Sequence, residues 1–324
     1  MPDTKPTTGI VAIGRNEGHR LVRCLRSLSE VACPVVYVDS CSVDGSPVTA
    51  SGVGARVVAL TPDKPFTAAR ARAEGADKLR ILYPDLEYIM FIDGDCELDP
   101  AFLPAALQFM AKNDDVAAVC GRRRERFPEA SPYNRLIDRE WATSLGETEA
   151  CGGDALFRVR SYFASGGFDP EMLAGEEPEL CSRMRVAGWR IVRIDVPMTV
   201  HDADLHRVGQ WWARAVRSGM GYAQAFAKTR GRPGIPLYTR QIVRAAGWAA
   251  VLPLASIALA ALLSPFVLAT WPAAVLAQFL RVTVREGTFS AALSVAGKYP
   301  ELLGIIRYIA RELRGVQGQT VTYK

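Results

Sequence analysis

Tyr88-Ile89-Met90-Phe91-Ile92-Asp93-Gly94-Asp95-Cys96-Glu97 runs from a short apolar segment straight into two carboxylates one residue apart. The apolar part is β-branched and aromatic and has the length of a buried strand. As a central strand it carries Asp93 and Asp95 to its carboxyl end, the edge where open α/β sheets bind ligands. Gly94 permits a tight turn, so the two acids need not point to opposite faces. Two neighbouring carboxylates repel unless they share a cation. Mg²⁺ and Mn²⁺ prefer oxygen ligands and bridge carboxylate to phosphate. The stretch therefore reads either as a metal–diphosphate site or as an ordinary polar turn after a strand.

The flanking sequence supplies a sheet for this strand. Gly9–Ile13, Pro34–Val38, Arg56–Leu60 and Val116–Cys120 are further short apolar runs. Between them, His19–Ser29 carries Leu21, Val22, Leu25 and Leu28 at helical spacing, Phe66–Leu82 is rich in Ala and Arg and reads as a helix, and a further helix is expected over about Ala101–Lys112. This alternation predicts an α/β fold, a Rossmann-like, mainly parallel sheet with helices on both faces. Arg122–Glu149 is dense in charge and poor in strand signals, and reads as an excursion over the site. An apolar strand resumes after Gly152-Gly153, and a helix opens at Glu176-Glu177-Pro178-Glu179 and closes at Gly188. A strand over Arg190–Val196, the segment holding His201, and a helix from Val208 to about Lys228 follow.

The composition changes after that helix. Ala245–Leu280 contains no charged residue and is bracketed by Arg244 and Arg281, with Pro253, Pro265 and Pro272 inside it. One membrane span needs about 20 apolar residues, so two short helices or a kinked re-entrant hairpin are expected. Arginine at both flanks places both ends on the cytoplasmic side. A buried helical hairpin is the alternative. Leu302, Leu303, Ile306, Ile309 and Leu313 mark one face of a final helix, with Arg307, Arg311 and Arg314 on or near the other, an interfacial pattern. The expected domains are 1–235 (catalytic), 236–285 (transmembrane or re-entrant hairpin) and 286–324 (amphipathic tail).

Of 324 residues, 49% are hydrophobic and 23% charged, which excludes a disordered chain. The net charge of +5 comes without a basic stripe interleaved with aromatics, so no nucleic acid is expected as partner. Seven scattered cysteines without a C-x-x-C pair suit a reducing compartment. Met1–Thr8 is polar and carries no signal-peptide pattern, so the catalytic part is expected in the cytoplasm, at the inner membrane.

Taken in order, these motifs resemble those of the family 2 glycosyltransferases, over about Gly9–Tyr222. Arg15-Asn16-Glu17 sits where the family has its Tyr-Asn-Glu loop. Val38-Asp39-Ser40 with Asp44-Gly45-Ser46 resembles its Asp-x-x-Ser-x-Asp-Gly-Ser turn, and Arg70-Ala71-Arg72 with Gly75 its Ala-Arg-Asn-x-Gly segment. Asp93-Gly94-Asp95 matches its Asp-x-Asp. Gly152-Gly153, Gly166-Gly167-Phe168 and Glu176-Glu177 match its acceptor-side signatures. The chain departs from the pattern at Ile13, Arg15 and Ala73, and in having Glu-Glu for Glu-Asp. Gln210-Trp211-Trp212-Ala213-Arg214 only loosely follows the Gln-x-x-Arg-Trp of processive synthases, which implies single sugar additions.

The resemblance implies the GT-A fold and transfer from a nucleoside-diphosphate sugar, commonly UDP-linked, with inversion and with Mn²⁺ or Mg²⁺. Arg15, Glu17, Asp39, Arg72, Asp93, Gly94 and Asp95 would bind the donor, with Asp39 on the base and Arg72 on the diphosphate. Asp95 would lead the metal ligands, with Asp93 and His201. Glu177 would be the catalytic base, with Glu176 as alternative base or acceptor ligand. Gly152, Gly153, Asp154 and Trp211 would face the acceptor, a lipid-linked saccharide or a polysaccharide. A sugar nucleotidyltransferase and a non-catalytic membrane-tethered scaffold are the competing readings.

Overall fold

The computed structural model describes residues 6–315. Met1–Lys5 and the end of the expected 286–324 tail lie outside the described residues. The described part divides into two compact units, meeting in sequence at Asp204 and Leu205.

The first unit contains all the strands: β1 (Thr8–Gly14), β2 (Val35–Asp39), β3 (Arg56–Ala59), β4 (Tyr88–Asp93), β5 (Cys96–Leu98), β6 (Val116–Glu125), β7 (Gly146–Glu147), β8 (Ala155–Arg158) and β9 (Arg190–His201). They form one sheet in the order β3-β2-β1-β4-β8-β6-β9-β5, with β7 paired to β9. β3, β2, β1 and β4 run parallel, β8 is antiparallel to both β4 and β6, and β6 and β9 are again parallel. The helices are α1 (His19–Ser29), α2 (Ser46–Gly52), α3 (Ala68–Leu82), α4 (Phe102–Lys112), α5 (Pro132–Glu140), α6 (Val159–Ala164) and α7 (Glu176–Val186).

β4 is central, which is why its sequence is continuously apolar. Ile89, Met90, Phe91 and Ile92 are each 1% exposed or less, contributing roughly 1.5–3 kcal/mol apiece. The Phe91 ring meets Phe157 and Phe168 edge-on at 5.5 and 5.1 Å, tying β4 to β8 and to the turn after α6. Gly75 lets α3 lie flat on the sheet: a Cβ there would come within 2.4 Å of Val11 and 2.9 Å of Val38.

Arg122–Glu125 does not leave the sheet, as its charge suggested. It continues β6, and only the segment after it, with α5, is an excursion. Charged residues are tolerated in this strand because Arg123 and Glu125 both find partners beneath the sheet edge described below.

The second unit holds α8 (Val208–Thr229), α9 (Thr239–Ala246), α10 (Leu252–Leu262), α11 (Thr270–Glu286), α12 (Thr288–Ala296) and α13 (Lys298–Leu313). α8 thus groups with the C-terminal helices rather than with the sheet, against an expected boundary at residue 235. The cause is a glycine contact: a Cβ on Gly219 of α8 would lie 2.0 Å from the Glu301 carbonyl, and one on Gly304 of α13 2.0 Å from the Val216 carbonyl. Only glycine permits so close an approach of two backbones.

The apolar stretch forms two helical runs, Thr239–Leu262 and Pro265–Glu286, of 24 and 22 residues, with 11% and 6% of their most apolar windows buried. Each is longer than expected because it takes in the arginine-bearing ends beyond the charge-free segment. α13 buries Ile305 and Tyr308 and leaves Ile306, Ile309 and Leu313 half to mostly exposed. The expected apolar face is therefore the exposed one, since the glycine contact at Gly304 sets which side meets α8. Gly304→Val should clash with the Val216 backbone and cost about 1–3 kcal/mol; a thermal unfolding transition unchanged from wild type would contradict this packing.

Candidate active site

Order reverses across β1, which pairs with β2 on one side and β4 on the other, so the crevice at their carboxyl ends is a topological switch point. Register aligns Gly14 with Asp39 and Ile13 with Asp93, bringing three strand ends together. The Gly94 N–H donates to the Ile13 carbonyl at 2.7 Å. A Cβ on Gly94 would sit 2.9 Å from that oxygen. Glycine is needed here for close approach, and its φ is not positive.

On the β2 side, Asp39 is 2% exposed. It accepts from the Tyr37 hydroxyl at 3.1 Å and the Ser42 N–H at 2.8 Å. Asp44 accepts from the Gly18 N–H at 2.8 Å, and the Val43 N–H donates to Asn16 Oδ1 at 2.8 Å, so the two loops brace each other. Glu17 is buried, packs its stem over Gly94 and pairs with Arg20 at 3.2 Å. Arg15 lies with its guanidinium 5.3 Å from the Phe66 ring centre.

On the β4 side the acids are held by a chain of arginines. Arg72, 2% exposed on α3, donates to Asp93 Oδ1 and to Glu176 Oε1, each at 2.6 Å. Arg123 takes the other Asp93 oxygen at 3.2 Å and lies 3.5 Å from Asp154. Burial works against the Arg123 charge, but Asp154 and Asp93 outweigh it and keep the guanidinium ionised. Asp154 is 1% exposed; it accepts from the Asp93 N–H at 3.0 Å and from the Thr199 hydroxyl at 2.7 Å. Both its oxygens are engaged beneath the site, so Asp154 positions Asp93 rather than facing an acceptor as expected.

Both oxygens of Asp93 are taken by arginine, which leaves Asp95 and His201 as the pair suited to a cation. Asp95 Oδ1 and His201 Nε2 are 3.5 Å apart. Two ligands at about 2.1 Å from one ion sit roughly 3 Å apart at right angles, so a small closure would accommodate Mn²⁺ or Mg²⁺. Glu125, buried on β6, lies 3.5 Å from His201 Nδ1. A carboxylate behind a ligating histidine fixes its tautomer and orientation. Burial and Arg123 lower the His201 pKa, but Asp95 and Glu125 raise it more, so the net shift is upward. Five carboxylates (Asp93, Asp95, Glu125, Asp154, Glu176) face Arg72, Arg123 and His201, so negative charge is in excess even with the imidazole protonated. Cys96 is adjacent, but burial pushes its thiol well up. A neutral sulfur is a poor ligand for a hard ion. The residues present fit a divalent cation on Asp95 and His201.

Glu176 and Glu177 open α7 after Gly175, whose φ of +77° suits glycine. They face different ways. Glu176 joins the Arg72 chain. Glu177, 5% exposed, accepts from the Cys151 N–H at 2.5 Å and the Cys181 thiol at 2.9 Å. Burial pushes its carboxyl above the ordinary glutamate value, against these hydrogen bonds. Gly152, with φ +85°, meets open space, whereas a Cβ on Gly153 would lie 2.7 Å from Arg72 Nη2. Gly153 therefore makes room for the guanidinium, not for a sugar as expected. Trp211 belongs to the second unit, where it is 7% exposed, stacks edge-on with Trp212 at 6.4 Å and packs beside Gly297. This is core packing rather than the acceptor contact that the resemblance implies.

Residues 10–165 match the model of glycosyl transferase family 2. The succinoglycan biosynthesis protein ExoA of Rhizobium meliloti is 26% identical over 252 residues, covering 72% of this chain and 76% of that protein. Both matches support a family 2 glycosyltransferase. The fold agrees: the mannosyltransferase PcManGT of Pyrobaculum calidifontis, solved with GDP-Man and Mn²⁺, superposes with a TM-score of 0.61 at 19% identity, covering 95% of this chain and 88% of that one. The protein is thus a glycosyltransferase with a GT-A fold, and its sheet is the mainly parallel one the sequence predicts.

In this glycosyltransferase, the fold gathers Arg72, Asp93, Asp95, Glu176 and His201 at one sheet edge. Sequence reasoning missed Arg123 and Glu125. Their signal was the strand period: in Val116–Glu125 they alternate with Arg124, placing both on one face. Arg123→Met leaves Asp93 and Asp154 without their shared cation. Breaking a buried pair in this way costs about 3–5 kcal/mol. A clear fall in Tm is expected, and an unchanged Tm would show that the pair is not sustained.

Proposed function

We propose that the chain transfers one sugar from a nucleoside-diphosphate sugar to a hydroxyl of a lipid-linked or polysaccharide acceptor, with inversion at the anomeric carbon. The observation that carries this reading is the continuous chain Glu176–Arg72–Asp93–Arg123–Asp154 beside the Asp95–His201 pair. It sets a guanidinium and a cation site side by side, as a leaving diphosphate requires. Asp39 and the loops around Asn16 and Asp44 face the nucleoside, while Arg15 and Glu17 complete the donor wall. UDP is the first candidate from the resemblance. GDP is the second, because PcManGT was solved with GDP-Man.

Bound Mn²⁺ or Mg²⁺ would neutralise charge on the diphosphate. The chain's own residues do the rest. Arg72 holds the diphosphate oxygens through planar donors. The acceptor oxygen attacks the anomeric carbon, its proton passes to Glu177, and the bond from that carbon to the diphosphate oxygen breaks. Burial gives Glu177 the raised pKa that suits a general base. Glu176, engaged by Arg72, is the positioning partner. Transfer rather than nucleotidyl exchange is favoured by the Gly14–Gly18 loop, which holds no lysine. The pair of acids on α7 favours an enzyme over a scaffold.

The 239–286 helical pair, apolar and little buried, anchors the protein in the inner membrane with the catalytic unit on the cytoplasmic side. Residues 236–285 are the membrane segment in this reading, and the described part of the 286–324 tail lies along the surface, with Ile306, Ile309 and Leu313 in the interface. Such an anchor concentrates lipid-linked acceptors at the site.

Transfer of labelled sugar from UDP- and GDP-sugars to lipid extract in the presence of Mn²⁺ tests the reading. Glu177→Gln should keep donor affinity and lose turnover by roughly 10²–10⁴-fold; near-normal turnover would move the base to Glu176. The acid limb of the wild-type kcat/KM profile should fall above the ordinary glutamate pKa of about 4.3. A raised folded-state pKa means that stability is lost as pH rises through it. Glu177→Gln should therefore be at least as heat-stable as wild type at neutral pH, and a lower Tm would contradict the burial argument.

A further inference from the structure

Within the second unit, the ends of the two apolar helical runs enclose a cavity of about 420 Å³. Arg244 lines it from α9, Arg281, Arg285 and Gln278 from α11, and Ser294 from α12. Trp248 reaches it from Gly247–Val251, a π-helical turn that widens the first run at this level. Turns of this kind are uncommon and recur at functional sites. We propose that this cavity binds the phosphate or diphosphate headgroup of a membrane-embedded acceptor lipid. The proposal rests on the reading that the acceptor is lipid-linked, and it names where that lipid is held.

Three observations converge on this ligand. The first is charge: no carboxylate among the described residues pairs with Arg244, Arg281 or Arg285, and Glu286 is the one acid in the lining. The cavity thus carries two positive charges in excess. A phosphate monoester or a diphosphate, with about two negative charges, balances it, whereas a phospholipid diester supplies only one. Guanidinium groups and the polar Gln278 and Ser294 also suit several terminal phosphate oxygens.

The second is depth. Arg244 lies near the start of the first run, and Arg281 and Arg285 near the end of the second, so the hairpin brings all three to its polar end. Runs of 24 and 22 residues extend about 33–36 Å at 1.5 Å per residue, and the hydrocarbon layer is about 30 Å thick. The cavity therefore falls at headgroup level. The third is continuity with apolar surface: a smaller cleft shares Arg244, Trp248, Gln278 and Ser294 with this cavity and adds Val275 and Val295. Tyr299 and Lys298, the latter paired with Glu301, complete this narrow cleft, which leads the cavity toward the exposed apolar helix faces where a lipid tail would lie.

The test is lipid binding by the full chain, purified in detergent, with a long-chain isoprenyl phosphate and the corresponding diphosphate as probes, in the presence of excess phosphatidylglycerol. Wild type should bind both probes. Arg281→Gln/Arg285→Gln should weaken binding by tenfold or more, and Arg244→Gln separately by a smaller factor. All three positions are exposed, so these variants should keep wild-type Tm. Binding that phosphatidylglycerol or inorganic phosphate displaces at the probe's own concentration, or variants that bind as wild type, would overturn the proposal. Lipid affinity is read without donor and without turnover, so this result stands apart from the fate of the donor site.

Discussion

The site depends on one buried exchange of charge, in which Arg72 and Arg123 hold the two oxygens of Asp93 from opposite sides. Arg72 comes from α3, Arg123 from β6, and Asp93 ends β4, so the ion chain crosses the sheet where strand order reverses. Each guanidinium is largely removed from solvent, and each would be costly if its carboxylate were lost. The chain extends outward to Glu176 and inward to Asp154, which Thr199 pins from β9. Five elements are thus committed to one geometry before any ligand arrives, which is the preorganisation that charge stabilisation during transfer requires.

That arrangement also divides labour between two acids that look equivalent in sequence. Asp93 is consumed by arginine, and Asp95, two residues on, turns toward His201, which Glu125 backs. Gly94 makes the division possible by letting the chain press against the Ile13 carbonyl. A similar division occurs on α7, where Glu176 points into the ion chain and Glu177 is buried against Cys151 and Cys181. In both pairs, residues of one type close in sequence acquire different chemistry from their surroundings alone.

Much of the sheet was legible because its signal is local. β1, β2 and β4 are apolar runs with clear ends, and Asp39, Asp93 and Asp95 fall at those ends. α1 was legible from its 3.6-residue apolar spacing and α3 from its Ala- and Arg-rich composition. What was not legible depends on contacts distant in sequence. Charge alone hid the extension of β6 through Arg123 and Glu125, since the partners that make those charges tolerable lie on β4, on β9 and just before β8. Gly153 and Asp154 were read by analogy as acceptor contacts, and only the three-dimensional neighbours show that one makes space for Arg72 and the other supports Asp93. The placement of α8 with α13 rests on Gly219 and Gly304, two glycines inside helices that carry no local meaning until their opposite backbones are known.

The most direct test of the central claim is the thermal shift of detergent-purified protein with UDP- and GDP-sugars, with and without Mn²⁺. A ligand that binds only the folded state raises its stability by mass action. A shift with one nucleotide sugar that requires Mn²⁺, and that disappears in Asp95→Ala, is the predicted result. An equal shift without metal, or none with either donor, would contradict the assignment of Asp93, Asp95 and His201 as the donor and metal edge of this glycosyltransferase.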